Sequence, residues 1–470
     1  MILQLILVAI IFVLTLAYFK GRYNEYYWKR RGVPFYKKHK LMGPTWKFMT
    51  TKKAFFECYC DVYKEFPDAP AVGLGGVFNP ILYIKDPMNM QHIMQTDFTA
   101  FNHRGIEITE VDKLADNLLM QHGNRWKVTR QHMTPLFTAT RLKSMYYILD
   151  KSARDFVEHL QQDPRKLKGN VFETLSTFCA AAVAAAVFGI STHSVFDSPF
   201  LNMAREVVAP TFNRNMKFVL LNASLTVSKK LGITIFKEQE NFFIGAIKQV
   251  IHTGMSVQPT DEYLAAQGFF YFVAGVEPSA TAMFGTLIEL GRHPEVLKKV
   301  LKEVDMVFEK YKGEITYDAV SEMEYLDKVL SEAMRLHPPV GFNTRLCVRD
   351  SVLPVGNIKV DKGTLIIIPI FELHHDSKYY PNPEVFNPER FEGDAKLGDY
   401  SYQPFGKGNR VCIGMRYVRL KMSSQSVFPL DYDMVSFKRY IRGVLRDGQR
   451  IGSTPGVVDV HRRRWPLSIR

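Results

Sequence analysis

Cys412 lies in the stretch Pro404-Phe405-Gly406-Lys407-Gly408-Asn409-Arg410-Val411-Cys412-Ile413-Gly414. The thiolate is the metal-binding form of cysteine, and nearby cations or a helix N-terminus favour it. Apolar spacing resumes at Ile413, which predicts a helix starting beside the sulfur and lowering its pKa. Gly406 and Gly408 carry no Cβ, so the loop can turn sharply and its backbone can come close to a flat ligand. Arg410, two residues before the cysteine, is placed to meet an acidic group at the edge of that ligand. A solitary cysteine is more often a small buried apolar residue. These neighbours instead suit an anionic sulfur ligand to a metal held in a macrocycle.

Other elements must position this sulfur. Residues 121–137 read as a helix with Trp126 and Arg130 four residues apart, hence on one face. Residues 326–336 read as a helix with Glu332 and Arg335 sharing a face, and Pro338-Pro339 end it. As a surface ion pair these two would contribute only about 0.3 kcal/mol. Arg345 follows on the next segment, and Asn387-Pro388-Glu389-Arg390-Phe391 supplies another arginine. Residues 265–291 form a long apolar helical pattern containing Ala274-Gly275-Val276-Glu277-Pro278-Ser279-Ala280-Thr281. Pro278 lacks an N–H, so it should leave the Ala274 carbonyl without its helical donor and kink the helix. Residues 363–369 read as a short strand.

The pattern Phe405-x-x-Gly408-x-x-x-Cys412-x-Gly414, with Arg410 inside it, resembles the haem-binding loop of cytochromes P-450. Trp126/Arg130, Glu332/Arg335 and Arg390 resemble further motifs of that family in the same order. The resemblance implies a mainly α fold with small β-sheets and haem b (iron protoporphyrin IX) ligated by the Cys412 thiolate. It implies that Trp126, Arg130, Arg345 and Arg410 meet haem propionates, and that Phe405 and Gly414 flank the cofactor. Ala274 and Gly275 would make room for O2 on the distal side, with Glu277 relaying protons. Pro278 stands where the family usually has a hydroxyl residue, so Ser279, or a water on the freed carbonyl, is the expected substitute. Glu332, Arg335 and Arg390 would form a buried cluster that locks the fold. The sequence His374-His375-Asp376 invites a metal reading, but falls on a family turn. Phe270, Val273, Ala274 and Val340 should face an apolar pocket, covered by residues 101–118 and 210–221.

Composition is globular, with 46% hydrophobic and 13% aromatic residues and a net charge of +14. No basic run is interleaved with aromatics as a nucleic-acid module would require, so an acidic protein or membrane partner is expected rather than nucleic acid. Five scattered cysteines fit neither a disulfide framework nor a zinc site. Residues 1–19 are uncharged and long enough to span a bilayer, with basic residues following; a signal peptide is the competing reading. The expected organisation is an anchor (1–19), a basic linker (20–44), a haem-thiolate catalytic domain (45–430) and a basic tail (431–470) of net charge +5. Ser423-Ser424-Gln425-Ser426 and Pro429 should interrupt the helix after Cys412. The tail reads either as a docking segment for an acidic partner or as a divergent exon or shifted reading frame.

The resemblance places the catalytic domain on the cytosolic face of the endoplasmic reticulum membrane. It implies a monooxygenase for lipophilic small molecules, reduced by an NADPH-cytochrome reductase. A P-450-like isomerase or peroxide-dependent enzyme, and a non-catalytic haem-binding paralogue, remain open alternatives.

Overall fold

The computed structural model describes residues 2–432, apart from 50–52, 55, 107–110, 163–170, 190–210, 224–227, 229, 235, 251–259 and 394–398. The basic tail beyond residue 432, the short region before the long apolar helix and part of both pocket covers lie outside the described residues. Helices dominate. Those that build the site are α1 (Ile2–Lys29), α2 (Gly123–Met133), α3 (Tyr146–Gln162), α4 (Val171–Phe188), α5 (Asp261–Arg292), α6 (Glu324–Leu336), α7 (Ile370–His374) and α8 (Met415–Tyr432).

Strands β1 (Ala71–Leu74), β2 (Ile81–Ile84), β3 (Phe342–Leu346), β4 (Ser351–Leu353), β5 (Ile358–Val360) and β6 (Leu365–Pro369) form two small sheets. The larger has the order β1-β2-β6-β3, with β2 and β6 parallel and the other pairs antiparallel. The strand expected at 363–369 is therefore central to that sheet. Its residues Ile366, Ile367 and Ile368 are buried, as a continuous apolar strand requires.

The apolar N-terminal run does not end at a linker. It continues as one helix to Lys29, straight through the polar stretch Lys20-Gly21-Arg22, and ends just before Gly32, whose φ is 71°. Leu5 to Leu16 are exposed, whereas Tyr27 and Trp28 are buried. Trp28 lies so close to Gly73 of β1 that a Cβ there would sit 2.2 Å from its ring. Asn24 Nδ2 also donates to the carbonyls of Lys40 and Gly76, at 2.9 and 3.0 Å. The outer part of α1 is long and apolar enough to cross a membrane. α4 meets the same criterion but is mostly buried.

α5 is the central helix. Thr260 caps its start by accepting the Tyr263 N–H at 3.3 Å, and Asp261 and Glu262 favour the N-terminal dipole. It packs along α4, where Gly275 permits the approach: an added Cβ would meet Val183 Cγ2 at 2.8 Å. The helix continues through Pro278.

α8 also continues where the sequence predicts interruption, running to Tyr432 through the four-residue serine-glutamine stretch and Pro429. The serine hydroxyls can return to the helix instead of breaking it. Ser424 Oγ donates to the Leu420 carbonyl at 2.8 Å and lies 3.3 Å from Tyr146 Oη on α3.

His374-His375-Asp376 is not simply a turn, since His374 ends α7 and is fully buried. Its Nε2 accepts the Gln403 N–H at 2.9 Å, just before the cysteine loop. On the same helix Glu372 is buried, and burial pushes its carboxyl up to about 8; its own N–H, the Tyr83 hydroxyl and the Cys60 thiol only partly offset this. The folded protein then holds a proton that the unfolded chain releases above its ordinary carboxyl range. Stability from this group is present at low pH and falls by roughly 1.4 kcal/mol per pH unit until about pH 8. Glu372→Gln, neutral throughout, should melt above the parent at pH 8 and flatten the melting profile between pH 5 and 8. Parallel profiles for the two proteins would refute this.

Candidate active site

The cysteine loop has the backbone its glycines suggest. Gly406 and Gly408 adopt φ values of 70° and 69°, and a Cβ on Gly408 would lie 2.2 Å from the Met94 carbonyl oxygen. The Cys412 N–H closes the loop by donating to the Phe405 carbonyl at 2.9 Å, and Phe405 packs against the main core. α8 begins three residues later, at Met415, and Gly414 starts its hydrogen-bond ladder by accepting the Val418 N–H at 2.8 Å.

The Cys412 side chain is exposed by surface, yet burial is the largest influence on its thiol. Both hold if the sulfur sits deep in the fold and faces an internal opening. Burial raises its pKa against the Gly414 N–H, Arg130 and Arg104, which all lower it. The expected net depression is therefore not found in the protein alone, because desolvation outweighs the helix start and both guanidiniums. A thiolate here needs a further positive partner.

Arg130 and Arg104 act on this sulfur, and Arg345 and Arg410 lie near Arg104. Arg345 is completely buried; its Nη1 donates to Asn343 Oδ1 at 2.8 Å and to the Thr344 carbonyl at 2.7 Å, while Nε and Nη2 have no partner. Arg410 donates to the carbonyls of Leu119 and Gln121, stacks 4.5 Å above the Trp126 ring, and keeps an unpartnered Nε. Arg130 holds the loop itself, donating to the Val411 carbonyl at 2.9 Å.

Arg104, which sequence reasoning missed, shares Asn343 Oδ1 at 3.0 Å and also has an unpartnered Nε. Its place is set by a bridge between His103 and Leu346 of β3, a long-range pairing that no local spacing announces.

Burial first, and then neighbouring guanidiniums, push Arg410 down to about 8 and hold Arg345 well below its usual range. Burial likewise pushes Arg104 down to about 10 and lowers Arg130, each against the opposing Cys412 sulfur. Among the described residues none of the four is ion-paired with a carboxylate. Buried donors without acceptors are costly, and uncompensated cations more so. The fold therefore offers an anion site next to Cys412.

On α5, Ala274 is exposed, while Phe270, Val273, Glu277 and Pro278 are partly buried. Successive residues turn by about 100°, which puts Ala274, Glu277 and Pro278 on one flank. Gly275 turns towards α4, so its missing side chain makes room for Val183. Ser279 is on the far flank, 1% exposed, with an unpartnered hydroxyl. Thr281 Oγ1 returns to the Glu277 carbonyl at 2.9 Å. Val340 is exposed.

The predicted charged cluster is assembled. Glu332 and Arg335 are both 0% exposed and joined by two hydrogen bonds of 2.7 and 2.9 Å. Arg390 Nε approaches Glu332 Oε1 at 3.3 Å, and the Asn387 N–H donates to the same oxygen at 3.0 Å. Arg335 reaches the His374 carbonyl at 2.7 Å and so ties α6 to α7.

This combination of loop, guanidinium cluster and buried triad agrees with comparison to known proteins. The model of the family described as Cytochrome P450 matches residues 34–254 and 246–424. The chain belongs to the cytochrome P450 family. It is 31% identical over 447 residues to Cytochrome P450 6B7 of Helicoverpa armigera, covering 88% of each chain. It is 30% identical to Cytochrome P450 6B5 of Papilio glaucus, over 88% of this chain and 93% of the relative. Probable cytochrome P450 6d4 of Drosophila melanogaster is 28% identical, over 89% and 90% respectively.

As a P450 the chain is a monooxygenase with a haem-iron cofactor, related to insect enzymes. The residues present fit that cofactor. Cys412 has a free, exposed sulfur that a haem iron would engage, and Arg104, Arg345 and Arg410 have orphaned donors that its propionates would satisfy.

Proposed function

We propose that this P450 uses haem b to insert one oxygen atom of O2 into lipophilic small molecules, with electrons from NADPH through a cytochrome reductase. The bound haem supplies oxygen activation, to which a thiolate ligand contributes electron density. Cys412 would hold the iron through its sulfur, and the iron's charge would supply a positive partner for the thiolate. Arg104, Arg345 and Arg410, with Trp126 beside them, hold the propionates, while Arg130 fixes the loop through the Val411 carbonyl. Phe405 and Gly414 set the start and end of that loop.

The Ala274 flank of α5 faces the distal side, where its small side chain leaves space for O2. Glu277 holds and passes protons there. Ser279 points to the opposite flank, so a water on the Ala274 carbonyl, freed by Pro278, takes the place of a hydroxyl residue. Apolar Phe270 and Val273 suit a lipophilic substrate. The exposed apolar part of α1 and the basic residues after it support an anchor in the endoplasmic reticulum membrane with a cytosolic catalytic domain.

The observation that carries this reading is a set of guanidiniums that have no carboxylate partner among the described residues, two of which, Arg130 and Arg104, act on the Cys412 sulfur. The reduced carbon monoxide difference spectrum should show thiolate ligation, and reductase with NADPH should give product from lipophilic compounds. Glu277→Ala should lower product per NADPH about 100-fold, the scale of a lost proton-transfer group, while Ser279→Ala should leave it unchanged. A carbon monoxide complex lacking the thiolate signature would overturn the reading. Pro278 favours one second reading, a peroxide-dependent enzyme, which would form product with peroxide but not with NADPH and reductase.

A further inference from the structure

Lys421 is completely buried on α8, nine residues after Cys412 in the sequence. Its ammonium donates to the carbonyl oxygen of Gly275 on α5 at 2.7 Å and lies 5.5 Å from the Tyr417 ring centre. Among the described residues its hydrogen-bond partner is thus a backbone carbonyl, and no carboxylate is paired with it. An ammonium in a core is expensive to desolvate, and an apolar side chain of similar length would fill the same space without that cost.

The carbonyl it meets has a particular place. In a regular helix Ala274 accepts from residue 278 and Gly275 from residue 279. Pro278 has no N–H, so Ala274 loses its donor within the helix. The adjoining carbonyl, at Gly275, receives one from outside the helix. The sequence opening and the buried cation therefore coincide on two successive carbonyls. They also lie on the helix turn that carries Ala274 and Glu277.

We propose that Lys421 is a positioning residue for oxygen activation: it pins the Pro278-opened turn of α5 to the helix that follows Cys412. The ammonium fixes where the Ala274 and Glu277 flank stands and adds positive potential behind it. This rests on the reading that the Ala274 flank is the distal side of the haem site.

The test uses full-length, haem-loaded protein with Lys421→Met and Lys421→Gln. Three quantities are compared: the infrared C–O stretch of the reduced carbon monoxide complex, product formed per NADPH, and melting temperature. Lys421→Met should keep thiolate ligation, shift the C–O stretch and lower product per NADPH severalfold. Lys421→Gln, which can still donate to the Gly275 carbonyl, should recover most of both. Pro278→Ala restores an N–H to the Ala274 carbonyl and should reduce the loss caused by Lys421→Met.

A lower melting temperature with unchanged stretch and coupling would overturn the proposal, leaving Lys421 a purely structural residue. So would losses that simply add in the double variant. If Lys421→Met alone does not fold, the Pro278→Ala background should accept it, and failure there also counts against the proposal. A parent protein without thiolate ligation would instead overturn the reading of the site, and this inference with it.

Discussion

Cys412→Ser should abolish the thiolate signature of the carbon monoxide complex and lower monooxygenase turnover by roughly 10⁴-fold or more, the scale of losing a member of a reacting unit. The serine hydroxyl fits the same loop, because the hydrogen bond closing it comes from the backbone N–H of residue 412. Folding and the guanidinium cluster should therefore survive, and haem content should fall less than activity. The control is Cys179→Ala. Cys179 is completely buried on α4, where burial pushes its thiol up to about 11, so it should be replaceable without spectral change. Equal loss of the signature in both variants would mean that the spectrum reports general unfolding. Retention of it in Cys412→Ser would mean that another sulfur ligates the iron.

Local sequence made the sulfur legible because its loop requires glycine backbone geometry at Gly406 and Gly408, and such requirements are written in neighbouring residues. Trp126 and Arg130 were equally readable from helical spacing, but their division of labour was not. Trp126 supports Arg410, while Arg130 holds the Val411 carbonyl. Arg104 could not be read at all, since its role depends on the bridge between His103 and β3, more than two hundred positions away. Lys421 was hidden for a similar reason: one lysine on a helix ordinarily faces water, and only the packing of α8 on α5 turns it inward. The thiol pKa went the other way from the local expectation because depth in the fold outweighs a helix start. The break expected in α8 also failed, since hydroxyls that favour turns in isolation can bond back to their own helix.

Glu332→Ala should cost about 3–5 kcal/mol, because it leaves the Arg335 guanidinium buried without its anion. Against a total stability of roughly 5–15 kcal/mol, that is enough to deplete the folded, haem-bound protein. Denaturant unfolding and haem content per chain measure it. The exposed pair Lys143–Asp318 is a sharp comparison, since its separation of 2.6 Å is as short as that in the buried pair. Asp318→Ala should cost under about 1 kcal/mol, because water screens both partners. The double variant Glu332→Met/Arg335→Leu separates two physical causes. If the penalty were only an unpaired charge, removing both charges would restore stability. Here the Asn387 N–H and the His374 carbonyl would also lose these partners. The double variant should therefore stay well below the parent. Full recovery would show that the cluster serves as an ion pair alone, whereas persistent loss would show that it joins α6 to α7 and to the segment around Asn387.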